Sequence, residues 1–255
     1  MASRNHHPEK LAGQKILLQR LQCEGGGDME APETIMNRHE TEWLDLRRMD
    51  NIELMAQFPD KHFDLAIVDP PYGINAAKKY TGNGWVVRDS KDWDKCPPSQ
   101  EYFRELYRVS RHQIIWGANY YPQNLVPSMG WVFWDKGQRD FSLADGELAF
   151  SSFNRALRVF THSRGAGLAE SNRIHPTQKP VALYRWLLAN YAKPGQKILD
   201  THLGSGSIAI ACHYARLHLT ACELDEDYFA ASIARIKRET AQESFDFDAH
   251  DHTTT

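Results

Sequence analysis

The stretch Asp69-Pro70-Pro71-Tyr72 places an acid, two prolines and an aromatic ring directly after a short apolar run. The run 63–68 predicts a buried strand, and the prolines must end it because proline lacks the N–H that a sheet ladder needs. Asp69 is then held at the carboxyl end of a core strand, where open α/β sheets place their ligands. A carboxylate, a rigid carbonyl and a stacking ring suit the binding of a planar group that carries an amino function. An ordinary Pro-Pro turn is the alternative.

A second set of candidate residues lies in the stretch 197–223. A predicted strand at 197–200 is followed by the turn Gly204-Ser205-Gly206, a helix, and a strand that ends at Glu223. Glycines let a ligand approach the backbone, and the helix N-terminus offers free N–H groups. An acid about 20 residues after the glycines can accept both hydroxyls of a ribose. The glycine spacing alone is a weak signal, and the acid strengthens the prediction of a nucleotide-type pocket.

The elements that position these residues predict an α/β domain over residues 39–240. A strand after Trp43, a helix through Phe58 and the strand 63–68 form a βαβ unit, which implies a parallel sheet. Asp50 ends the first of these strands and is expected near Asp69 at the same sheet edge. The alternative role for Asp50, the N-cap of the following helix, is compatible with this position.

Composition limits the classes of protein that need consideration. The chain has 255 residues, 42% of them hydrophobic, which suffices for one large α/β core or two small ones. No apolar run approaches the roughly 20 residues of a membrane span, and no signal peptide is visible. The four cysteines show no metal-type spacing, so we expect reduced thiols, no metal site and a cytoplasmic protein.

Charge is distributed unevenly although the net charge is only −3. The segment 78–179 holds 15 Lys and Arg against 10 Asp and Glu, together with five of the seven tryptophans. Basic and aromatic groups in one segment suit a nucleic acid, although an excess of five positive charges is weak evidence. The long loop 75–98 is typical of a lid or binding loop. Cys96 within it is more simply a loop cysteine than a nucleophile.

The two ends of the chain are expected to be peripheral. Residues 1–38 predict a loosely packed appendage, in which a short amphipathic helix is separated from the domain by Gly25-Gly26-Gly27. Residues 241–255 are rich in Asp, His and Thr and predict a disordered tail.

Together, these stretches resemble the amino-methylating DNA methyltransferases that use S-adenosylmethionine. The chain is similar to the permuted β-class group, in which the Asp-Pro-Pro-Tyr motif precedes the cofactor-binding glycine turn, and to its compact, solitary, phage- or prophage-type members. The resemblance covers residues 41–238. Its marks are Asp69-Pro70-Pro71-Tyr72, the segment 175–180 (HPTQKP), the turn 199–207, and Glu223-Leu224-Asp225 with Tyr228.

The resemblance implies a Rossmann-like methyltransferase fold with a mostly parallel, seven-stranded-type sheet, and it implies site residues. The catalytic residues would be Asp69, Pro70, Pro71 and Tyr72, with Asp69 and the Pro70 carbonyl on the target amino group and Tyr72 on the extruded base. The cofactor-binding residues would be Asp50, Asp69, His175, Thr177, Lys179, Asp200, His202, Leu203, Gly204, Ser205, Gly206, Glu223 and Leu224. In the family, Pro-Phe usually stands where this chain has Thr201-His202, which puts the strength of cofactor binding in question.

The resemblance also implies a double-stranded DNA partner, in the setting of DNA methylation and restriction-modification. We expect the segments 75–98 and 136–173 to contact DNA through Asn75, Lys78, Lys79, Lys136, Arg139 and Arg173. For any single arginine of this region a solvated surface is the simpler alternative. The sequence leaves the oligomeric state open, a homodimer included, and gives no sign of a cognate restriction nuclease.

The implied chemistry is direct, in-line attack of an exocyclic amine on the sulfonium methyl group. Acceptors for both N–H groups would let the nitrogen become tetrahedral, so no covalent enzyme intermediate is needed. An aspartate in the first motif position favours adenine N6, because cytosine-N4 enzymes of this group more often carry serine there. The alternatives are the same reaction on cytosine N4 or on RNA, and a DNA-binding module that has lost turnover.

Overall fold

In the computed structural model, the structure describes residues 37–74, 94, 96–139, 144–163, 174–175 and 177–241. Nine strands belong to this part of the chain: β1 Arg38–Glu40, β2 Leu44–Arg48, β3 Phe63–Val68, β4 Ser110–Trp116, β5 Trp131–Asp135, β6 Gly146–Ser151, β7 Arg158–Thr161, β8 Lys197–Asp200 and β9 His218–Glu223. The helices are α1 Asn51–Ala56, α2 Gln100–Val109, α3 Val181–Tyr191, α4 Ser207–Ala215 and α5 Glu226–Ala241. Two short 3₁₀ turns, Ala118–Tyr120 and Pro122–Asn124, follow β4.

All nine strands form one sheet in the order β1-β2-β9-β8-β3-β4-β6-β5-β7. The strands β2, β9, β8, β3 and β4 pair in parallel, whereas β6 pairs antiparallel with both β4 and β5. The expected mostly parallel α/β sheet is therefore confirmed. It has nine strands rather than seven in the described residues, because the short strands β1 and β7 extend its two edges.

Apolar residues on both faces of the sheet explain why the central strands form. Leu65 and Ile67 of β3 pack into the core on one face, and Ala66 and Val68 pack on the other. This continuous burial is what parallel strands covered by helices on both sides require. Helices α3, α4 and α5 contribute to the first core, and α1 and α2 contribute to the second.

The predicted elements agree with the structure, with small differences at their ends. The strands at 63–68, 197–200 and 218–223 have the expected bounds. Ser99 caps α2, since its hydroxyl accepts the Tyr102 N–H at 3.3 Å. Strand β4 begins at Ser110, which pairs in parallel with Phe63 of β3.

Most of the predicted appendage, tail and long loop lies outside the described residues, as do Asn75, Lys78, Lys79 and Arg173. No described helix is long and apolar enough to cross a membrane. Among the described residues, no group of three or more His, Cys, Asp or Glu side chains is placed to hold a metal ion.

Candidate active site

The carboxyl ends of the parallel strands bring four acids to one edge of the sheet. Asp69 follows β3, Asp200 ends β8 and Glu223 ends β9. Asp50 follows β2, whose last residue Arg48 lies opposite Glu223 in the parallel pairing. The four acids stand far apart in the sequence, and the strand order makes them neighbours, as expected for an open α/β sheet.

A cavity of about 230 Å³ opens at this edge. It is lined by Met49, Asp50, Asn51, Asp69, Pro71, His175, Thr177, Gln178, Lys179, Tyr184, Thr201, His202, Leu203, Gly204, Ser205, Glu223, Leu224 and Tyr228. The lining joins the acid of the Asp-Pro-Pro-Tyr motif to the glycine turn and to the acid at the end of β9. Of the residues expected at the cofactor, Asp200 and Gly206 do not line it.

Asp69 is held by two side chains. The Tyr72 hydroxyl donates to Asp69 Oδ1 at 2.7 Å, and the Lys179 ammonium lies 2.5 Å from Asp69 Oδ2. Burial raises the pKa of Asp69, and the nearby Lys179 charge opposes that shift. The Lys179 side chain is only 2% exposed, so its charge is available only to groups inside the site. Lys179, which was expected to bind the cofactor, lines the cavity and pairs its ammonium with Asp69; its contact with the cofactor remains a prediction.

A third ionised group, Glu147 at the start of β6, completes the cluster. Its Oε2 lies 3.0 Å from Lys179 Nζ, and its Oε1 lies 2.7 Å from Lys136 Nζ. Burial acts to raise the pKa of Glu147, but the two lysines outweigh it and lower the pKa to about 2. The cluster of Asp69, Lys179, Glu147 and Lys136 therefore alternates in charge and carries no net charge when all four are ionised.

The ring of Tyr72 is fixed from two directions. Tyr120 stacks on it with ring centroids 4.9 Å apart and planes 13° from parallel. Gly117 follows β4 with a φ of +67°, and a Cβ at this position would lie 2.1 Å from the Tyr72 ring. Only glycine fits here, since the residue must both adopt a left-handed conformation and leave room for the ring. Sequence reasoning missed Gly117 and Tyr120 as supports of this motif.

The two glycines of the turn between β8 and α4 have different surroundings. At Gly204, with a φ of +53°, the nearest atoms to an added Cβ would be 3.8 Å away, so the cavity side of the backbone is open. At Gly206 a Cβ would lie 2.8 Å from Ile236 Cδ1 of α5. Gly206 therefore packs against α5 and does not line the cavity, and its place beside the cofactor remains a prediction. Buried Arg235 secures the turn by donating to the Ser205 carbonyl at 3.0 Å.

Burial raises the pKa of both acids near this turn, Glu223 and Asp200. The Glu223 oxygens accept the Gly204 N–H at 2.9 Å and the Asp225 N–H at 3.0 Å, and burial raises the pKa of Glu223. A carboxylate can accept about four hydrogen bonds, so Glu223 keeps acceptor capacity on the cavity side. Asp200 accepts the His202 N–H at 3.0 Å, and burial raises the pKa of Asp200 to about 8.

Asp50 caps α1 as well as lining the cavity. Its Oδ1 accepts the Ile52 N–H at 2.7 Å and the Glu53 N–H at 3.3 Å, which confirms the N-cap role considered for it. The cap fixes the first turn of α1, so the next residue, Asn51, projects into the cavity wall.

The residues Thr201-His202 form a hydrogen-bonded chain across the cavity wall. Asn51 Nδ2 lies 3.1 Å from His202 Nε2, and His202 Nδ1 lies 2.9 Å from Thr201 Oγ1. Thr201 Oγ1 in turn lies 2.7 Å from the Tyr102 hydroxyl. Burial lowers the pKa of His202 to about 4, so the ring is neutral near pH 7. Because the Asn51 NH₂ group can only donate, the His202 proton belongs on Nδ1.

Residues 175 and 177–179 also line the cavity. The His175 ring packs edge-on against Tyr228 of α5, with centroids 4.5 Å apart. The Thr177 hydroxyl lies 3.1 Å from His175 Nδ1. These contacts join this segment to the helix that follows Glu223, so the two sequence marks lie side by side in space.

Comparison with known proteins finds DNA methylases among the similar sequences. Residues 119–234 match the family model for N6/N4-type enzymes, described as DNA methylase. The chain is 26% identical over 209 residues to YubD of Escherichia coli (strain K12), named provisionally as a methylase; the match covers 73% of this chain and 87% of YubD. It is 24% identical over 233 residues to the type II methyltransferase M.HpaI of Haemophilus parainfluenzae, covering 74% of this chain and 72% of the relative.

Two solved structures share the fold. The M1.HpyAVI–SAM complex superposes with a TM-score of 0.51 at 17% identity, covering 77% of this chain and 98% of that one. The cytosine-N4-specific PvuII DNA methyltransferase superposes with a TM-score of 0.52 at 14% identity, covering 78% of this chain and 90% of that one. Together with the family match, these findings support an S-adenosylmethionine-dependent DNA methyltransferase.

Lys136 and Arg139, both expected to contact DNA, differ in exposure and in their ion pairs. Lys136 is 18% exposed and pairs with Glu147, whereas Arg139 is 54% exposed and reaches Asp135 at 2.9 Å. The exposed Arg139 side chain is therefore accessible to a phosphate group, whereas Lys136 belongs to the cluster with Glu147, Lys179 and Asp69. The DNA contact expected of Lys136 remains a prediction.

Several residues of the candidate site carried no signal in the sequence. Glu147 reaches Lys179 only because β6 pairs antiparallel with β4, with Ala149 opposite Trp116. Asn51 and Tyr102 join the site through contacts across more than 90 residues. No local period or motif encodes such long-range pairings.

Proposed function

We propose that this protein transfers a methyl group from S-adenosylmethionine to the N6 amino group of adenine in DNA, at a specific sequence. The observation that carries the proposal is that Asp69, at the carboxyl end of β3, lines one cavity with Gly204 and Glu223. An acceptor for an amino group and a wall suited to a nucleotide-like cofactor therefore meet in one place.

The residues present fit the cofactor. Gly204 leaves its backbone open to the cavity, and Glu223 keeps acceptor capacity for ribose hydroxyls. Asp50, Asn51 and His202 line the same cavity and are proposed to offer polar atoms to the adenine ring. His175, Thr177 and Leu224 also line it and are proposed to enclose the rest of the molecule. When bound, S-adenosylmethionine supplies the electrophilic methyl group.

The protein's own part in the reaction is to position the amine. An exocyclic amino group is a weak nucleophile because its lone pair is delocalised into the ring. Asp69 and the Pro70 carbonyl are proposed to accept its two N–H groups, which favours a tetrahedral nitrogen. Tyr72 is proposed to stack on the base once the base has left the helix, which offsets part of the few kcal/mol that extrusion costs.

The choice of adenine rests on the resemblance of the motif. Enzymes of this group that act on cytosine N4 more often carry serine where this chain has Asp69. Arg139 and, outside the described part, Lys78, Lys79 and Arg173 are proposed to hold the DNA backbone. Phosphate contacts of this kind give affinity and position, and they leave the recognition sequence to other groups.

Transfer of labelled methyl from S-adenosylmethionine to unmethylated genomic DNA, with the product nucleosides resolved, tests the proposal. Label in N6-methyladenine is the expected result. Label in N4-methylcytosine would keep the site and overturn the assignment of the base. If the cofactor binds but no label reaches DNA, RNA is the next substrate to test. If neither cofactor binding nor methyl transfer is seen, a DNA-binding module without turnover is favoured.

A further inference from the structure

Glu147 lies outside every motif that defines this site, yet it contacts three of the groups around the acceptor carboxylate. Its Oε2 is 3.0 Å from Lys179 Nζ and 3.4 Å from the Tyr72 hydroxyl, and its Oε1 is 2.7 Å from Lys136 Nζ. Its side chain is 24% exposed. A carboxylate in this position adds desolvation cost to a site that already holds Asp69, so its contacts point to a function in the site rather than to a gain in stability.

Lys179 shows what that function is. Its ammonium lies between Asp69 and Glu147, and it also lies 3.2 Å from the Tyr72 hydroxyl. If Asp69 were the only acid beside Lys179, the Lys179 ammonium would neutralise the acceptor carboxylate completely. With Glu147 also present, the Lys179 charge is shared between two acids, and Lys136 compensates the second one.

We propose that Glu147 and Lys136 are positioning residues for methyl transfer, which hold Lys179 between two carboxylates and so keep Asp69 an available acceptor for the target amino group. This inference rests on the proposed function. Neither residue touches the reacting atoms. Their effect reaches the amine through Lys179 and Asp69.

The electrostatic surroundings fix the sign of the expected effect. Burial raises the pKa of Asp69, Lys179 opposes that shift, and Glu147 adds to it. Five other groups interact electrostatically with the Asp69 charge: Tyr72, Tyr102, Tyr121, Tyr184 and Asp200. The tyrosines are neutral over the working pH range, since burial raises the pKa of each, and Asp200 stays unchanged in the variants below.

The test measures kcat/KM on unmethylated genomic DNA as a function of pH. The quantity compared is the position of the acid limb, the pH range in which kcat/KM falls as the pH is lowered. Glu147→Gln removes a negative charge, so the limb should move to lower pH by on the order of one unit. Lys136→Met removes a positive charge that screens Glu147, so the limb should move to higher pH. The double variant removes one charge of each sign and should return the limb toward that of the wild type.

Matched controls separate positioning from folding. Glu147→Asp keeps the charge and should keep the wild-type limb, and cofactor affinity measured by calorimetry should change less than about threefold in every variant. If Glu147→Gln fails to fold, Lys136→Met still gives the shift of opposite sign. An unmoved limb, or a shift of both single variants in the same direction, would overturn the inference. A wild-type protein without methyl transfer would instead overturn the proposed function.

Discussion

The Lys179 ammonium lies 2.5 Å from the Asp69 carboxylate, although 110 residues separate the two in the chain. Asp69 follows β3, and Lys179 precedes α3 in the segment that lines the cavity. The contact therefore joins two separate sequence marks in one charge cluster. It also means that a target amino group meets a carboxylate that is already paired, so the balance of charge around Asp69 is part of the site.

Gly117→Ala should lower both stability and methyl transfer. The added Cβ would lie 2.1 Å from the Tyr72 ring, and the position has a φ of +67°. Overpacking and the left-handed backbone together should cost about 2–4 kcal/mol of unfolding free energy. Denaturant titration measures the loss, and the matched control is Gly195→Ala, where φ is +78° and no atom lies within 4 Å of the added Cβ. Equal losses in the two variants would show that the contact with Tyr72 is unimportant.

His202 should make the protein less stable as the pH falls from about 6.5 to about 4. Burial lowers the pKa of His202 in the folded protein to about 4, so in this window the unfolded chain binds more protons than the folded one. The accumulated loss should be on the order of 3 kcal/mol. In His202→Phe this contribution disappears, while Asn51 and Thr201 each lose a partner at every pH.

The measurement is the difference in unfolding free energy between wild type and His202→Phe at pH 4, 5, 6 and 7. The wild type should lose its advantage over the variant as the pH falls. His218→Phe, which alters an exposed histidine, controls for removing an imidazole as such. A difference that stays constant with pH would contradict the buried, neutral state of His202.

Arg139→Ala should weaken DNA binding and reduce its salt dependence. The guanidinium is 54% exposed and makes its ion pair with Asp135 at the surface. Loss of one phosphate contact should lower the slope of log K against log salt by about one. Fluorescence anisotropy at several salt concentrations measures this slope, and Arg104→Ala, which removes an exposed arginine of α2 that pairs with Glu101, is the control. The same slope for wild type and Arg139→Ala would remove Arg139 from the interface.

Local patterns were enough to predict the elements and the motifs that follow them. The apolar run of β3 and the prolines after it predicted both the strand and the place of Asp69. The glycine turn and Glu223 were predicted in the same way, because a strand, its end and the next helix are all close in sequence.

The site contacts that the sequence did not predict depend on strand pairing across the sheet and on packing between helices. Glu147 enters the site through the antiparallel pairing of β6 with β4, and Gly206 turns out to pack against Ile236 of α5. Lys179 was expected at the cofactor, and its contact with Asp69 follows from two loops meeting at the sheet edge. Residues of these types are common on surfaces, so the sequence alone does not distinguish them.

The most direct test of the account compares wild type with Asp69→Asn in transfer of labelled methyl to unmethylated genomic DNA, with cofactor binding measured for both proteins. The variant keeps the shape of the side chain and removes the charge, and its NH₂ group cannot accept a hydrogen bond from the target amine. The account predicts a fall in transfer of at least about 100-fold with cofactor binding retained. Transfer within about tenfold of the wild type would contradict the central role given to Asp69.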